Sequence, residues 1–506
     1  MTVMRRGART AAPPRVAPAL VSTTRPAAMP IAATLRDLAR RRPDDADGRL
    51  TSATFNLNAT VGPDPVQLFA AALEAGLEPS LWLKPVDDFA LVGIGSAWSV
   101  RADGPGRFSA IAEEWERLLT PAGLGGEGSS PRAAAPLLIG GLGFTGSVPV
   151  DPLWSPFGAA SMSVPELMLT KTPAGRWLTA SLVEASGVPE SASAAVEAPD
   201  RLEALWSGLM AAALARPDAD GAGGSAGRDQ LTVVAEQPDR RTWDRLVDRF
   251  AGAVGRGRLE KVVLARRRDL ASPEVIDTVA AVRRLAAGSP TSTTYAFVRG
   301  GSVFLGATPE RLISTEGKNF QTVAMAGSIR HGDNAAQEAA LAAELLSSDK
   351  DREEHAIVVE MIRAMLEPAA AEIHVAPSPV VATFGTVQHL VTTVTGRLRD
   401  RTGILSLAGL LHPTPAVGGE PRSLALELIA ENEGFERGWY AGPLGWVGAD
   451  GDGEFVVALR CAVVSGHNAA LFAGCGIVAD SDSEREWEES RNKMQVVASA
   501  LGELRS

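Results

Sequence analysis

Two acidic runs in the C-terminal half carry the first chemical signal. Asp351-Arg352-Glu353-Glu354-His355 and Glu486-Trp487-Glu488-Glu489-Ser490-Arg491-Asn492-Lys493 each place two carboxylates three residues apart, where an apolar periodicity of helical spacing begins. Positions i and i+3 share a helical face, so Asp351 projects with Glu354 and Glu486 with Glu489, and Lys493 extends the second stripe by one turn. Ser347 or Ser348 is placed to cap the first helix, and Ser483 followed by Glu486 reads as a capping box for the second. Two such faces opposed make an all-oxygen site, which suits Mg2+ sharing its remaining positions with water and an anionic substrate. The same carboxylates also fit a plainer part, opposing the helix dipoles from solvent. The local pattern leaves both readings open.

The elements that must position these groups come from a chain of 506 residues, long enough for a large core. A net charge of -11, with no basic patch, argues against a nucleic-acid partner, so an anionic substrate must be met by local positive groups. Cys461 and Cys475 are the two cysteines and both fall in apolar strand-like runs; no disulfide framework is implied, and a reducing, cytoplasmic location fits. No apolar run approaches the length of a membrane span. Residues 1–36 hold six arginines and no Asp or Glu. Such a composition also occurs in transit peptides, but the Ala, Gly and Arg bias of the whole chain favours a disordered tail or a mis-assigned start, with Met29 an alternative.

Beyond that tail the pattern predicts strands at Leu81–Leu83, Phe89–Ile94, Leu137–Phe144 and Arg176–Val183, with helices at Val66–Ala75 and Phe108–Leu119. A helix-like segment at Leu202–Ala215 leads into an Asp-, Gly- and Ala-rich run, 217–229, that reads as a surface insertion. Further helices are expected at Thr242–Val254, Val275–Ala286, Ala335–Leu346 and Lys350–Leu366, and one closes the chain. Strands are expected at Lys261–Arg268, Thr294–Arg299, Ser302–Ala307, Phe455–Val464 and Ala469–Ile477. Hairpins outnumber strand-helix-strand units, which favours an α+β sandwich of antiparallel sheets over a doubly wound fold. Neither a P-loop nor a G-x-G-x-x-G after a strand occurs, so no nucleotide cofactor is indicated.

Eight ordered runs carry a more specific signal: Lys261-Val-Val-Leu-Ala-Arg266, Phe304-Leu-Gly-Ala-Thr-Pro-Glu-Arg311, Thr322-Val-Ala-Met-Ala-Gly-Ser328, Lys350-Asp-Arg-Glu-Glu-His355, Val387-Gln-His-Leu390, His412-Pro-Thr-Pro-Ala-Val-Gly-Gly419, Tyr440-Ala-Gly-Pro443 and Ala473-Gly-Cys-Gly-Ile477. In these the region from 240 to 505 resembles the chorismate-utilising enzymes, which include isochorismate, salicylate, anthranilate and aminodeoxychorismate synthases. The resemblance implies a sandwich of antiparallel sheets with helices outside. It divides the chain into a tail, 1–48, an N-terminal part of the fold, 49–235, and a chorismate-binding catalytic region, 236–506.

The resemblance also implies roles. Lys261, otherwise a solvated strand end, becomes the general base for water attacking C2 of chorismate, which requires its amine to be neutral near pH 7. Glu310, otherwise an ion-pair partner of Arg311, becomes the acid that protonates the departing C4 hydroxyl. Mg2+ bridges Glu354 and Glu489 to a substrate carboxylate, with Asp351 and Glu486 in support. Arg460 and Tyr440 meet the carboxylate of the enolpyruvyl arm, Gly474 and Gly476 offer backbone amides to an anion, and Lys493 adds a further cation. Gly327, Ser328 and His389 line the pocket; taken alone, His389 fits a core histidine equally well.

Within the family, Ala326 stands where aminodeoxychorismate synthases carry a nucleophilic lysine. The presence of Lys261 points to water over ammonia, so no glutamine amidotransferase subunit is expected. Ala416 in the run from His412 to Gly419 favours isochorismate synthase over salicylate synthase, which often has threonine there. The long N-terminal part looks more like the menaquinone-pathway enzymes than the siderophore-pathway ones. Other readings are a salicylate synthase, a siderophore-pathway isochorismate synthase and, more remotely, a non-catalytic docking protein.

Overall fold

A computed structural model describes residues 29–40, 49–57, 62–120, 122–126, 131–184, 192–216, 230–332, 334–384, 387–400 and 402–504. The expected insertion at 217–229 and most of the expected tail lie outside these. Ile31–Arg40, placed in the tail by the sequence, is a helix whose Ile31 and Leu35 are buried. It packs on the Ala192–Ala215 helix and on the strands Arg49–Leu57 and Gly123–Gly126.

Two sheets form the frame, one of fourteen strands and one of ten. They are antiparallel except where Arg49–Leu57 runs beside Gly123–Gly126 and Gln230–Gln237 beside Glu503–Leu504. Both sheets draw strands from either side of residue 236, so the two expected parts interleave in a single fold. Alternation along the strands explains the layering. In Ser302–Thr308, Phe304 joins the core between the sheets, while Leu305 faces the opposite way into a second core with Leu68, Phe69, Leu285 and Met494 from the covering helices. With both faces buried, the large sheet reads as near-continuous apolar runs. That is why its strands were legible.

One expected strand is two. The run 455–464 splits into Gly453–Val457, in the smaller sheet, and Cys461–Ser465, in the larger. Between them the chain steps from sheet to sheet, and Arg460 takes a left-handed φ of 49° to make the step. A second crossing connects Ser302–Thr308 to Arg311–Glu316 through Pro309 and Glu310. The crossings are tied together: Val457 donates to the Glu310 carbonyl at 3.0 Å and Ala307 to the Arg460 carbonyl at 3.1 Å. The Thr308 hydroxyl also donates to the Val457 carbonyl at 2.6 Å.

The acidic runs do begin helices, Asp349–Leu366 and Ser483–Leu501. Ser348 caps the first, accepting from the Asp351 amide at 3.3 Å. The expected cap of the second is corrected. Asp482 accepts from the Arg485 amide at 3.0 Å, and Ser483 is the first helical residue. A carboxylate at that position also complements the helix dipole.

Candidate active site

Lys261 opens the strand Lys261–Ala271, paired on one side with Asn468–Ile477 and on the other with Gly419–Glu420. On the strand Asn468–Ile477, Gly476 stands in register with Val263 and Gly474 with Ala265. A Cβ on Gly476 would fall 2.3 Å from Lys261 Cε, and one on Gly474 would fall 2.9 Å from the Tyr440 hydroxyl. Contacts that short do not occur, so the bareness of both residues makes room for the lysine and the tyrosine. The sequence reading gave these glycines only an anion-contacting part.

The two sheet crossings bring Glu310 and Arg460 to the same place. Burial pushes the Glu310 carboxyl up from 4.5 to about 7, although the positive charges of Lys261, Arg460 and Lys493 pull against the shift. Burial lowers the Lys261 amine, and the like charge of Lys493 lowers it further, against the attraction of Glu310, Glu489 and Glu354. One pocket therefore disfavours charge on an amine and on a carboxyl together, which is what a base and an acid working near neutrality require. Burial also lowers Arg460 and His389. His389 feels the charges of Lys493, Arg460 and Glu489, which places it at the pocket. Tyr440 is buried, stacks on Phe472 with ring centroids 5.4 Å apart, and lies close enough to Arg460 for their charges to interact.

The last helix supplies the carboxylates. Glu489 pairs with Lys493 at 2.5 Å, as the i, i+4 spacing allows, and Lys493 Nζ also donates to the Gly474 carbonyl at 2.8 Å. Glu486 accepts from the Ser481 hydroxyl at 2.9 Å, and burial raises its carboxyl. One oxygen from each of Glu486 and Glu489 lies with the Cys475 sulfur in a group spanning no more than 4.8 Å. Glu354, on the other acidic helix, is exposed and 3.9 Å from Lys350, yet it acts on the charge of Lys261. Asp351 turns back to accept from the Ser348 hydroxyl, and its Cβ would be 3.2 Å from a Cβ on Gly327, whose φ is +71°. Its first task is thus to start the helix and seat it on the strand Asn319–Arg330.

Ser328 pairs in register with His389, and its side chain lies outside the described part of the chain. Ala416 is exposed in the turn before Gly419–Glu420, a segment laid against the Lys261 end of its strand by the bond from the Val263 amide to the Gly418 carbonyl, 2.9 Å. The sequence reading missed the pair that holds this corner. Arg437 and Glu433, each buried, form an ion pair. Arg437 donates to the carbonyls of Val417 at 2.8 Å and Val263 at 2.7 Å, while Glu433 accepts from the Ala265 amide at 2.7 Å. The i, i+4 spacing of opposite charges was the available signal, and it resembles any exposed helical pair.

The sequence matches the family described as Chorismate binding enzyme, whose model spans residues 38–502. The chain belongs to that family. It is 34% identical over 455 residues to the salicylate biosynthesis isochorismate synthase of Pseudomonas aeruginosa, covering 90% of each chain. It is 33% identical to the isochorismate synthase MenF of Bacillus subtilis, covering 83% of this chain and 87% of that one. Among solved structures, MenF, the menaquinone-specific isochorismate synthase of Escherichia coli, superimposes with a TM-score of 0.72 at 25% identity, over 93% of this chain and 98% of that one.

Proposed function

We propose that this chain is an isochorismate synthase, converting chorismate to isochorismate by adding water at C2 and releasing the C4 hydroxyl. The observation that carries the reading is the shared pocket of Lys261 and Glu310, in which burial keeps the amine and the carboxyl inclined to neutrality. Neutral Lys261 takes a proton from water as its oxygen bonds to C2. The ring electrons shift, the C4–O bond breaks, and Glu310 gives its proton to the leaving oxygen. Water enters and water leaves, so the step is an isomerisation with no change of oxidation state. General acid and base groups of this kind contribute roughly 10²- to 10⁴-fold each.

Arg460 and Tyr440 hold the enolpyruvyl carboxylate, the guanidinium offering parallel donors to two oxygens. Gly327, Ser328, His389 and Ala416 bound the ring, and Gly474 and Gly476 keep the floor open. The oxygen donors fit Mg2+: Glu489 and Glu354 would hold it, with Glu486 and Asp351 in support. When bound, the ion neutralises and orients the ring carboxylate. Glu489 is paired with Lys493, so the ion would share that carboxylate with the lysine.

The product feeds menaquinone biosynthesis on this reading, which is supported by similarity to MenF proteins along nearly the whole chain. A salicylate or siderophore branch is the second reading, favoured by the Pseudomonas relative. No amidotransferase subunit is required, because water is the nucleophile. The deciding experiment is incubation of the purified protein with chorismate and Mg2+, followed by product identification. Isochorismate alone supports the proposal. Salicylate with pyruvate, or an amino product formed only with ammonia, overturns it.

A further inference from the structure

We infer that Arg266 is a positioning residue for the carboxylates of the last helix, fixing the turn that carries Glu486 and Glu489 so that Glu489 presents its oxygens to a divalent ion with Glu486 beside it in support. This rests on the reading of those glutamates as metal-holding groups. Arg266 is fully buried, in the same strand that Lys261 opens. Its guanidinium donates to the Trp487 carbonyl at 3.2 Å and the Ser490 hydroxyl at 2.6 Å. Trp487 and Ser490 are the residues immediately after Glu486 and Glu489. The Ser490 hydroxyl itself donates to the Trp487 carbonyl at 2.8 Å, closing a small ring of bonds around that helical turn.

The guanidinium carbon lies 3.0 Å from the centre of the Trp487 ring and 5.6 Å from that of Trp243. The other end of the fork donates to Glu236 at 3.1 Å. A charge buried this fully is costly to desolvate, and apolar residues commonly replace such groups without loss of stability. What an apolar side chain cannot supply is a donor aimed at a helix carbonyl and a hydroxyl from below. Two further bonds hold the same stretch: the Cys475 thiol donates to the Glu486 carbonyl at 3.3 Å, and Lys493 reaches Gly474. Arg266 is the one of these three that binds the turn between the two acids.

The test uses the full-length protein with Mn2+ as the probe ion, free Mn2+ being counted by electron paramagnetic resonance, alongside metal-free thermal melting. Ser490→Ala removes a single hydroxyl, and Arg266→Met keeps the stacking bulk without the donors. The expected result is Mn2+ affinity weakened on the order of tenfold in both, the scale of one lost charge-assisted hydrogen bond. The Mg2+ needed for half-maximal turnover should rise in parallel, with kcat at saturating Mg2+ changed less than the affinity. Should Arg266→Met fail to fold, Ser490→Ala decides alone. Lowered melting with unchanged Mn2+ affinity means Arg266 only supports the fold, and overturns the inference. Glu489→Gln separates the premise: if it binds Mn2+ like the parent, the metal reading has failed; if it loses Mn2+ while Ser490→Ala and Arg266→Met keep it, only the positioning role has failed.

Discussion

At the residue scale, Lys261 and Glu310 make opposite demands on solvent pH. In the proposed roles Lys261 serves only when deprotonated and Glu310 only when protonated, so turnover should follow a bell, falling on the alkaline side above about 7 as Glu310 ionises. Glu310→Gln should lower turnover by about 10²- to 10⁴-fold and abolish that alkaline limb. The same shift is a statement about stability. The folded chain keeps the Glu310 proton up to about 7, whereas the unfolded chain releases it near 4.5. Between those values the folded state binds more protons, so stability drains as pH rises through the window. The melting temperature of Glu310→Gln relative to the parent should therefore improve between pH 4.5 and 7, measured by calorimetry in matched buffers. Lys261→Ala should abolish water addition and leave chorismate and Mg2+ binding in place; equal loss of binding would contradict its part as base.

At the scale of elements, Glu310, the proposed acid, and Arg460 depend on two loops that cross between sheets and are bonded to each other. Thr308 joins them, donating to Val457 and accepting from the Glu310 amide at 3.2 Å. Thr308→Val keeps the shape and removes both bonds. It should cost about 1–3 kcal/mol of stability, because the Val457 carbonyl is left buried without that donor. Turnover should fall further than stability alone explains, since Glu310 loses the Thr308 bridge to Val457 and keeps only its carbonyl bond from the Val457 amide; a denaturant titration beside initial rates separates the two effects. Glu354→Gln should raise the Mg2+ requirement of turnover sharply, and a variant with unchanged metal dependence would remove Glu354 from the ligand set.

At the scale of the whole molecule, the helix Ile31–Arg40 packs onto Ala192–Ala215, with Ala32 donating to Glu203 at 2.9 Å and Arg36 paired with Asp200. Removing residues 1–28 should leave melting and turnover unchanged. Removing residues 1–40 strips Ile31 and Leu35 from the core. It should lower stability by about 3–6 kcal/mol, from ~1.5–3 kcal/mol for each large aliphatic side chain, and thermal melting of the two truncations checks this. Among the described residues no helix is long and apolar enough to cross a membrane.

Much of the architecture was legible because strands buried on both faces and helices with apolar stripes announce themselves by composition and period: Phe89–Ile94 has the bounds read from the sequence. The eight motif runs likewise pointed to Lys261, Glu310 and the first acidic helix, and the i, i+3 carboxylate pairs pointed to both acidic helices. The break at 458–460 was not legible, since apolar residues continue through it and only the destination of each half, one sheet or the other, separates them. Nor was the work of Gly474 and Gly476, which depends on side chains from residues 261 and 440 arriving opposite them. Arg266 read as one of three arginines in a row, and only burial against Trp487 distinguishes it. Sequence alone determined which chemical groups are present and which local elements carry them. The tertiary structure decided their charge states and partners, because desolvation and hydrogen bonding depend on what packs around a group and not on its neighbours in the chain.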